Sequence, residues 1–280
     1  MQFLISYNAL GRVRFWHALV SFSSAFGIGT LAAQAPPIPD ATRLPPQTTP
    51  VARVVVPIPS ETFASLDKYG DVNWSAVQRS TLAHSTPHGE PTGIALLLGA
   101  MIGEGFVAVE AKDALEVKQL GNAIRAHARA LGVGKTVMRH SKSIVERAEK
   151  SDWRAVREEW DAVLPDVNQG MKEVKSEQLS QLVSLGGWLR GTGALATVVM
   201  QRYSSKGAEL LRQSALLDYL EAQLDEMKND QNIVKMKEGI DRMRLLVAGP
   251  SEPISQKTVQ QIAALCDELL ATIEGRAEDR

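Results

Sequence analysis

The chain has 280 residues, of which 31 are basic and 32 acidic, and its formal net charge at pH 7 is −1. This balance argues against a protein that binds nucleic acid or anionic lipid over a broad surface, because such binding depends on a cationic surface. The chain has one cysteine, Cys266, which cannot close an internal disulfide. The fold must therefore be stabilised by its hydrophobic core.

The N-terminus has the layout of a secretory signal peptide. Arg12, Arg14 and His17 precede an apolar run that ends in small residues near Ala32 and Ala35. Cleavage after Ala35 fits the A-x-A pattern, but a proline follows that position, so cleavage after Ala32 competes with it. The alternative is an uncleaved single-span anchor, since the run is long enough to cross a bilayer. Both interpretations place the remaining chain outside the cytoplasm, in the periplasm or the extracellular medium.

We expect three regions along the chain: a signal peptide or anchor over residues 1–35, a linker over 36–60 and a single domain over 61–280. The linker is rich in proline, with eight of the 13 prolines lying between Pro36 and Pro59. This composition favours an extended, polyproline-like spacer. The sequence therefore predicts an exported domain on an N-terminal tether.

Helical periodicity dominates after residue 92, where apolar residues recur at steps of three and four. The sequence predicts an all-α domain, a multi-helix bundle of about seven main helices, with Pro165 kinking or dividing the third. Shorter helical turns are expected over 61–69 and 74–83. The predicted main helices span residues 92–131, 135–150, 152–174, 177–203, 208–228, 233–247 and 256–273.

Residues 94–109 form the most unusual segment of the predicted domain. They are apolar on every side of a helix and carry one charge, Glu104, together with three glycines. A helix of this kind belongs in the middle of a protein, so we expect it to be the central helix of the bundle. Three glycines cost about 2–3 kcal/mol of helix propensity relative to alanine. Close approach of another helix is the expected compensation.

A second glycine-rich segment, residues 185–194, lies in the fourth predicted helix. Gly187 and Gly191 are one helical turn apart there, as Gly99 and Gly103 are in the central helix. Two glycines on one face allow helix axes to approach more closely than larger side chains would. We therefore predict that these two helices cross at the four glycines.

Each glycine-rich segment contains one ionisable residue, and Glu104 and Arg190 have opposite charges. Either charge alone would be costly in an apolar crossing, so we predict that they pair. The pair can fix the register of the two helices, or Arg190 can hold an anionic or polar ligand in a glycine-lined gap with Trp188 as one wall. We favour the structural interpretation, because buried ion pairs commonly have no ligand.

No catalytic, metal or cofactor motif was found in the remaining sequence. Residues 132–136 end like a phosphate-binding loop, but Arg129 occupies the place of its first glycine. His84 and His88 are separated by a proline and do not share a helix face. His127 extends an apolar stripe and could ligate haem opposite Met138 or Met200, although a buried histidine satisfied within the core is favoured. The sequence therefore predicts no metal and no cofactor, and it favours a non-enzymatic role.

These observations favour an exported helical protein of the cell envelope that binds another protein or itself, or that has a structural role. The first alternative is a periplasmic carrier of a small ligand or haem through the Glu104 and Arg190 region or His127. The second is an enzyme with an unrecognised site. A deep pocket at Gly103, Gly187 and Arg190 would favour the carrier. A closed crossing with an exposed apolar patch elsewhere would favour the interaction protein.

Overall fold

The computed structural model describes residues 72–227, 230–249 and 252–275, and the predicted signal peptide, linker and turn over 61–69 lie outside them. All regular secondary structure in these residues is helical, which confirms the all-α prediction. Short 3₁₀ helices cover Trp74–Ala76, Ser80–His84 and Glu209–Leu211. The α-helices are α1 (Pro91–Glu110), α2 (Ala114–Ala130), α3 (Gly134–Glu149), α4 (Trp153–Asp161), α5 (Val163–Glu173), α6 (Glu177–Gln201), α7 (Ser205–Ala208), α8 (Ser214–Asp225), α9 (Gln231–Val247) and α10 (Gln256–Ile273).

The single helix predicted over 92–131 is in fact two helices. Lys112 adopts a positive φ of 56°, which ends α1. The side chain of Asp113 then accepts a hydrogen bond from the backbone N–H of Glu116 at 3.0 Å and caps α2. A cap at this position satisfies one of the free N–H groups of a new helix. The chain therefore turns between α1 and α2, where hydrophobic periodicity alone predicted one continuous helix.

The helix predicted over 152–174 is divided into α4 and α5. Proline has no N–H, and its ring collides with the carbonyl group four residues earlier. For Pro165 that residue is Asp161, where α4 ends. The division expected from Pro165 is thus observed, and it falls one turn before the proline.

The helix predicted over 208–228 begins later than expected, at Ser214. Arg212 interrupts the pattern because its guanidinium group donates to the backbone carbonyls of Val247, Gly249 and Glu252 at 2.6–2.8 Å. These contacts tie the start of α8 to the loop between α9 and α10. Tertiary hydrogen bonds therefore override the local helical preference here.

Helices α1 and α6 form the centre of the bundle. Every residue from Gly93 to Val109 in α1 is buried, and α6 is buried along most of its length. Both helices are long and apolar enough to cross a membrane, yet 94% and 89% of their most apolar windows are buried inside the protein. Because other helices already cover these surfaces, we interpret α1 and α6 as core helices. The expected central position of residues 94–109 is confirmed.

The remaining helices pack around this pair. Helix α2 packs on α1, α10 and α5 pack on α6, and α9 bridges α8 and α10. The indole of Trp160 in α4 fills the notch at Gly105 and donates from Nε1 to the carbonyl oxygen of Ile102 at 3.0 Å. Tryptophan therefore takes the space that any side chain at position 105 would need. The apolar stripes of α9 and α10 are buried as their spacing predicts.

Candidate functional site

Helices α1 and α6 run in the same direction and touch backbone to backbone. A Cβ atom at Gly99 would lie 1.9 Å from the carbonyl oxygen of Val183. A Cβ atom at Gly186 would lie 2.0 Å from the carbonyl oxygen of Leu96. Both distances are far below any van der Waals contact, so only glycine fits at these two positions.

The four glycines expected at the crossing do not contribute equally. Gly103 faces Arg190, whose Cβ would lie 3.2 Å from an added Cβ, and Gly187 faces the carbonyl oxygen of Gly99 at 3.4 Å. Gly191 takes no part, because a Cβ there would meet no heavy atom within 4 Å. Gly186 makes the close approach instead. The correction has a geometric reason, since the point of contact lies about one turn earlier along α6 than Gly191.

Glu104 and Arg190 lie together at this crossing and form a buried ion pair. Arg190 Nε donates to Glu104 Oε2, and Arg190 Nη2 donates to the carbonyl oxygen of Val77 at 2.6 Å. The other oxygen, Glu104 Oε1, accepts from the backbone N–H of Arg79 at 2.7 Å. Glu104 is fully buried and Arg190 is 3% exposed. The backbone of the chain itself therefore completes the hydrogen bonds of the pair.

The crossing is closed around the pair. The Cβ and Cγ atoms of Arg190 lie 3.2 and 3.3 Å from the place of a Cβ at Gly103, so side-chain carbon occupies the expected gap. Trp188 does not form a wall beside Arg190, because residues two apart on a helix point in different directions. Its Nε1 instead donates to Gln213 Oε1 at 2.8 Å, just before α8. This geometry supports a structural pair and leaves little room for a ligand.

Residues 72–84, here called the strap, are fastened to both the pair and the last helix. Arg79 donates to Asp267 at 2.8 Å and to Glu274 at 3.1 Å, and Thr81 donates to Glu274 at 3.0 Å. Val77, whose carbonyl group receives Arg190, is itself buried. The pair therefore holds the first described residues of the domain onto its centre, while Arg79 holds them onto α10.

His127 is fully buried, as its position on an apolar stripe suggested. Its Nδ1 lies 2.9 Å from the carbonyl oxygen of Ala123, so Nδ1 carries the proton and donates. Its Nε2 has no hydrogen-bond partner among the described residues. Burial lowers the pKa of His127 and keeps the ring neutral. Met138, one methionine considered as a second haem ligand, is 56% exposed, so its exposed position gives no support to such a site.

The buried ring of His140 is the centre of a second, partly buried cluster that the sequence did not reveal. Its Nδ1 lies 2.8 Å from Glu159 Oε1 in α4, and its Nε2 lies 2.7 Å from Asp166 Oδ2 in α5. Arg139 also contacts Asp166 Oδ2, at 2.8 Å. The cluster therefore links α3 to α4 and α5 through the side chains of Arg139 and His140.

Two further buried groups bear on chemistry. Burial raises the pKa of the Cys266 thiol to about 12, so the thiol is protonated and a poor nucleophile. Burial and the neighbouring Glu104 raise the pKa of Glu116, whose Oε1 has no hydrogen-bond partner among the described residues. Within that part of the chain, no three His, Cys, Asp or Glu side chains are arranged to hold a metal ion.

An open groove lies along the first turns of α6, before Arg190. It consists of a cavity of about 410 Å³ and an adjoining cavity of about 740 Å³, which share Lys172, Glu177, Leu182 and Met227. Helices α5, α6 and α8 and the turn after α8 line the smaller cavity. Its lining residues are Lys172, Glu177, Ser180, Gln181, Leu182, Ser184, Leu185, Tyr219, Leu220, Gln223, Leu224 and Met227.

No protein-family model matches this chain, and neither a curated protein nor a solved structure matches it. Sequence reasoning singled out the crossing but not the groove. The lining of the groove comes from four separate segments of the chain. The residue spacing within any one of these segments does not indicate that the segments meet in the fold.

Proposed function

We propose that this chain is an exported helical protein of the cell envelope that acts by binding, through the groove between α5, α6 and α8. The N-terminal sequence supports export, since a basic start, an apolar run and small residues at its end precede a proline-rich linker. Residues 72–275 then form the part that binds. No catalytic step is assigned to it.

The observation that carries this proposal is the contrast between the middle of α6, at Arg190, and the first turns of the same helix. Around Arg190 the helix is sealed by backbone contact with α1, and the charges there are bonded to the strap. Around Leu182 and Leu185 the same helix lines a cavity of about 410 Å³. Binding sites are concave and predominantly apolar, and cavities of this size are typical of them. The groove, and not the crossing, therefore has the shape of a binding site.

Export is tested by fractionating the host cells and sequencing the N-terminus of the recovered protein. We expect the mature chain outside the cytoplasm, beginning at residue 33 or 36. An intact N-terminus in the membrane fraction, with residues 72–275 accessible from outside, would support the anchored alternative. A full-length chain in the cytoplasmic fraction would contradict export. A chain lacking residues 1–35 is the control and should remain in the cytoplasm.

Binding through the groove is tested with a photoreactive amino acid at position 223, which lines the cavity, and at position 257, which is exposed on α10. We expect illumination of the exporting cells to give a specific adduct at position 223 and none at position 257. Equal labelling at both positions would contradict a binding role for the groove.

A further inference from the structure

Basic residues are concentrated in the hairpin formed by α2 and α3, although the chain as a whole is nearly neutral. The stretch from Val117 to Val145 contains six Lys and Arg residues and no Asp or Glu. The six are Lys118, Arg125, Arg129, Lys135, Arg139 and Lys142. The even balance of charge over the whole chain therefore conceals a local excess of positive charge.

The basic residues lie on the outer surface of the hairpin. In α2, residues at steps of three and four are exposed or half-exposed and share one face of the helix. They are Leu115, Lys118, Asn122, Arg125 and Arg129. In α3 the same spacing relates the exposed residues Lys135, Met138 and Lys142. The two helices pack on each other, so their outer faces lie side by side. These two stripes, together with Arg139, are here called the basic face.

Few acidic side chains neutralise the basic face. Arg139 pairs with Asp166 at 2.8 Å, and Lys142 Nζ lies 3.7 Å from Glu146 Oε1. The other four basic residues form no ion pair with any described residue. A cluster of like charges of this kind creates a positive potential that attracts an anionic surface. The charge of the basic face is therefore available to a partner outside the chain.

Two large apolar side chains project from the same surface. Leu115 is 66% exposed and Met138 is 56% exposed. A lipid bilayer with anionic head groups offers a partner to both kinds of side chain, because its phosphates meet the cations and its acyl boundary takes up the apolar groups. A nucleic acid backbone would satisfy the cations and leave Leu115 and Met138 in water. The combination therefore favours a bilayer.

We propose that the basic face docks this protein on the surface of an anionic lipid bilayer. Helices α2 and α3 lie along the surface, with their cations at the head-group phosphates. Leu115 and Met138 enter the boundary between head groups and acyl chains. The proposal goes beyond binding through the groove and does not depend on it, since the smaller cavity is lined by residues outside α2 and α3.

The test is cosedimentation of the mature protein, which lacks residues 1–35, with vesicles of phosphatidylglycerol and phosphatidylcholine. We expect binding to these vesicles, none to pure phosphatidylcholine vesicles, and release in about 0.5 M sodium chloride, which screens exposed charges. One basic residue near an anionic surface strengthens binding about fivefold. Lys135→Glu should therefore weaken binding at least about fivefold, and Arg129→Glu combined with Lys135→Glu at least about 25-fold. The matched control Lys257→Glu reverses an exposed charge on α10 and should leave binding unchanged.

Position 138 tests the apolar contact separately from the charge. Met138→Gln keeps the charge of the basic face and should weaken vesicle binding severalfold. Met138→Cys can be labelled selectively with an environment-sensitive dye, because Cys266 is buried. The emission of this dye should shift to the blue when anionic vesicles are added.

Several results would overturn the proposal. They are equal binding to neutral and anionic vesicles, unchanged binding in Lys135→Glu, and a dye at position 138 that stays in water. Tighter binding to double-stranded DNA than to vesicles, with no effect of Met138→Gln, would assign the basic face to a nucleic acid instead. Circular dichroism must show that each variant is folded, which is expected because all the substituted residues are exposed.

Discussion

Removing one partner of the buried pair should cost far more than removing both. Arg190→Met would leave the Glu104 carboxylate fully buried with only the Arg79 N–H bond at 2.7 Å. Breaking a buried pair in this way costs about 3–5 kcal/mol. Glu104→Met should cost a similar amount, because Arg190 would retain only the Val77 carbonyl group. A domain has about 5–15 kcal/mol of stability, so both variants should fold but unfold at much lower denaturant.

The double variant should be less destabilised than the sum of the single variants by about 2 kcal/mol or more, since it buries no unpaired charge. The assay is equilibrium unfolding in guanidinium chloride, followed by circular dichroism at neutral pH. The exposed pair Arg242 and Glu268 provides the control cycle, in which the coupling should stay below about 1 kcal/mol. Additive losses at positions 104 and 190, within about 0.5 kcal/mol, would refute the reasoning.

Three further predictions follow from the geometry of buried groups. Gly99→Ala places a Cβ atom 1.9 Å from a carbonyl oxygen and should lower the free energy of unfolding by about 3 kcal/mol or more. Gly191→Ala brings its Cβ atom against nothing and should raise the free energy of unfolding by about 1 kcal/mol through helix propensity. The denaturant midpoints of the two variants check both expectations. Glu116→Gln should stabilise the fold at pH 7 and not at pH 4. The pKa of Glu116 is raised in the folded state, so burying this side chain costs stability only at pH values where Glu116 is ionised in the unfolded chain. Equilibrium unfolding at the two pH values tests this. Because the pKa of His127 is lowered in the folded state, His127 is protonated first in the unfolded chain as the pH falls. The free energy of unfolding should therefore decrease below pH 6.5 by up to about 1.4 kcal/mol per pH unit. His127→Gln should remove that decrease, and an unchanged pH profile in this variant would contradict the role given to His127.

The sequence predicted the fold class and the centre of the bundle well. Two glycine-rich segments stood out because each carried one charge, of opposite sign, and because residues 94–109 were apolar on every side of a helix. Glu104 and Arg190 do lie together, since an apolar crossing leaves each charge few other partners. The apolar stripes of α9 and α10 were equally clear in the sequence, because apolar residues at steps of three and four indicate a helix with one buried face.

Other features could not be predicted because they depend on the rotation and position of whole helices. The rotation of α6 about its axis decides whether Gly186 or Gly191 makes the close approach to α1. The spacing of glycines in the sequence does not reveal this rotation. The strap groups that complete the pair, Val77 O and Arg79 N–H, are backbone atoms of an irregular segment with no periodic signal. The cluster at His140 joins three helices through partners 19 and 26 residues away. Such contacts become visible only when the helices have been placed.

The most direct test of the central claim is native mass spectrometry, with an absorption spectrum, of the protein recovered from its exporting host. We predict a chain cleaved after residue 32 or 35, with a bound mass that is kept in Gly191→Ala and lost in Gln223→Trp, a substitution that places a larger side chain in the lining of the cavity. A Soret band, or a bound mass that persists in Gln223→Trp, would place binding elsewhere in the molecule. Either result would contradict the assignment of the groove as the binding site.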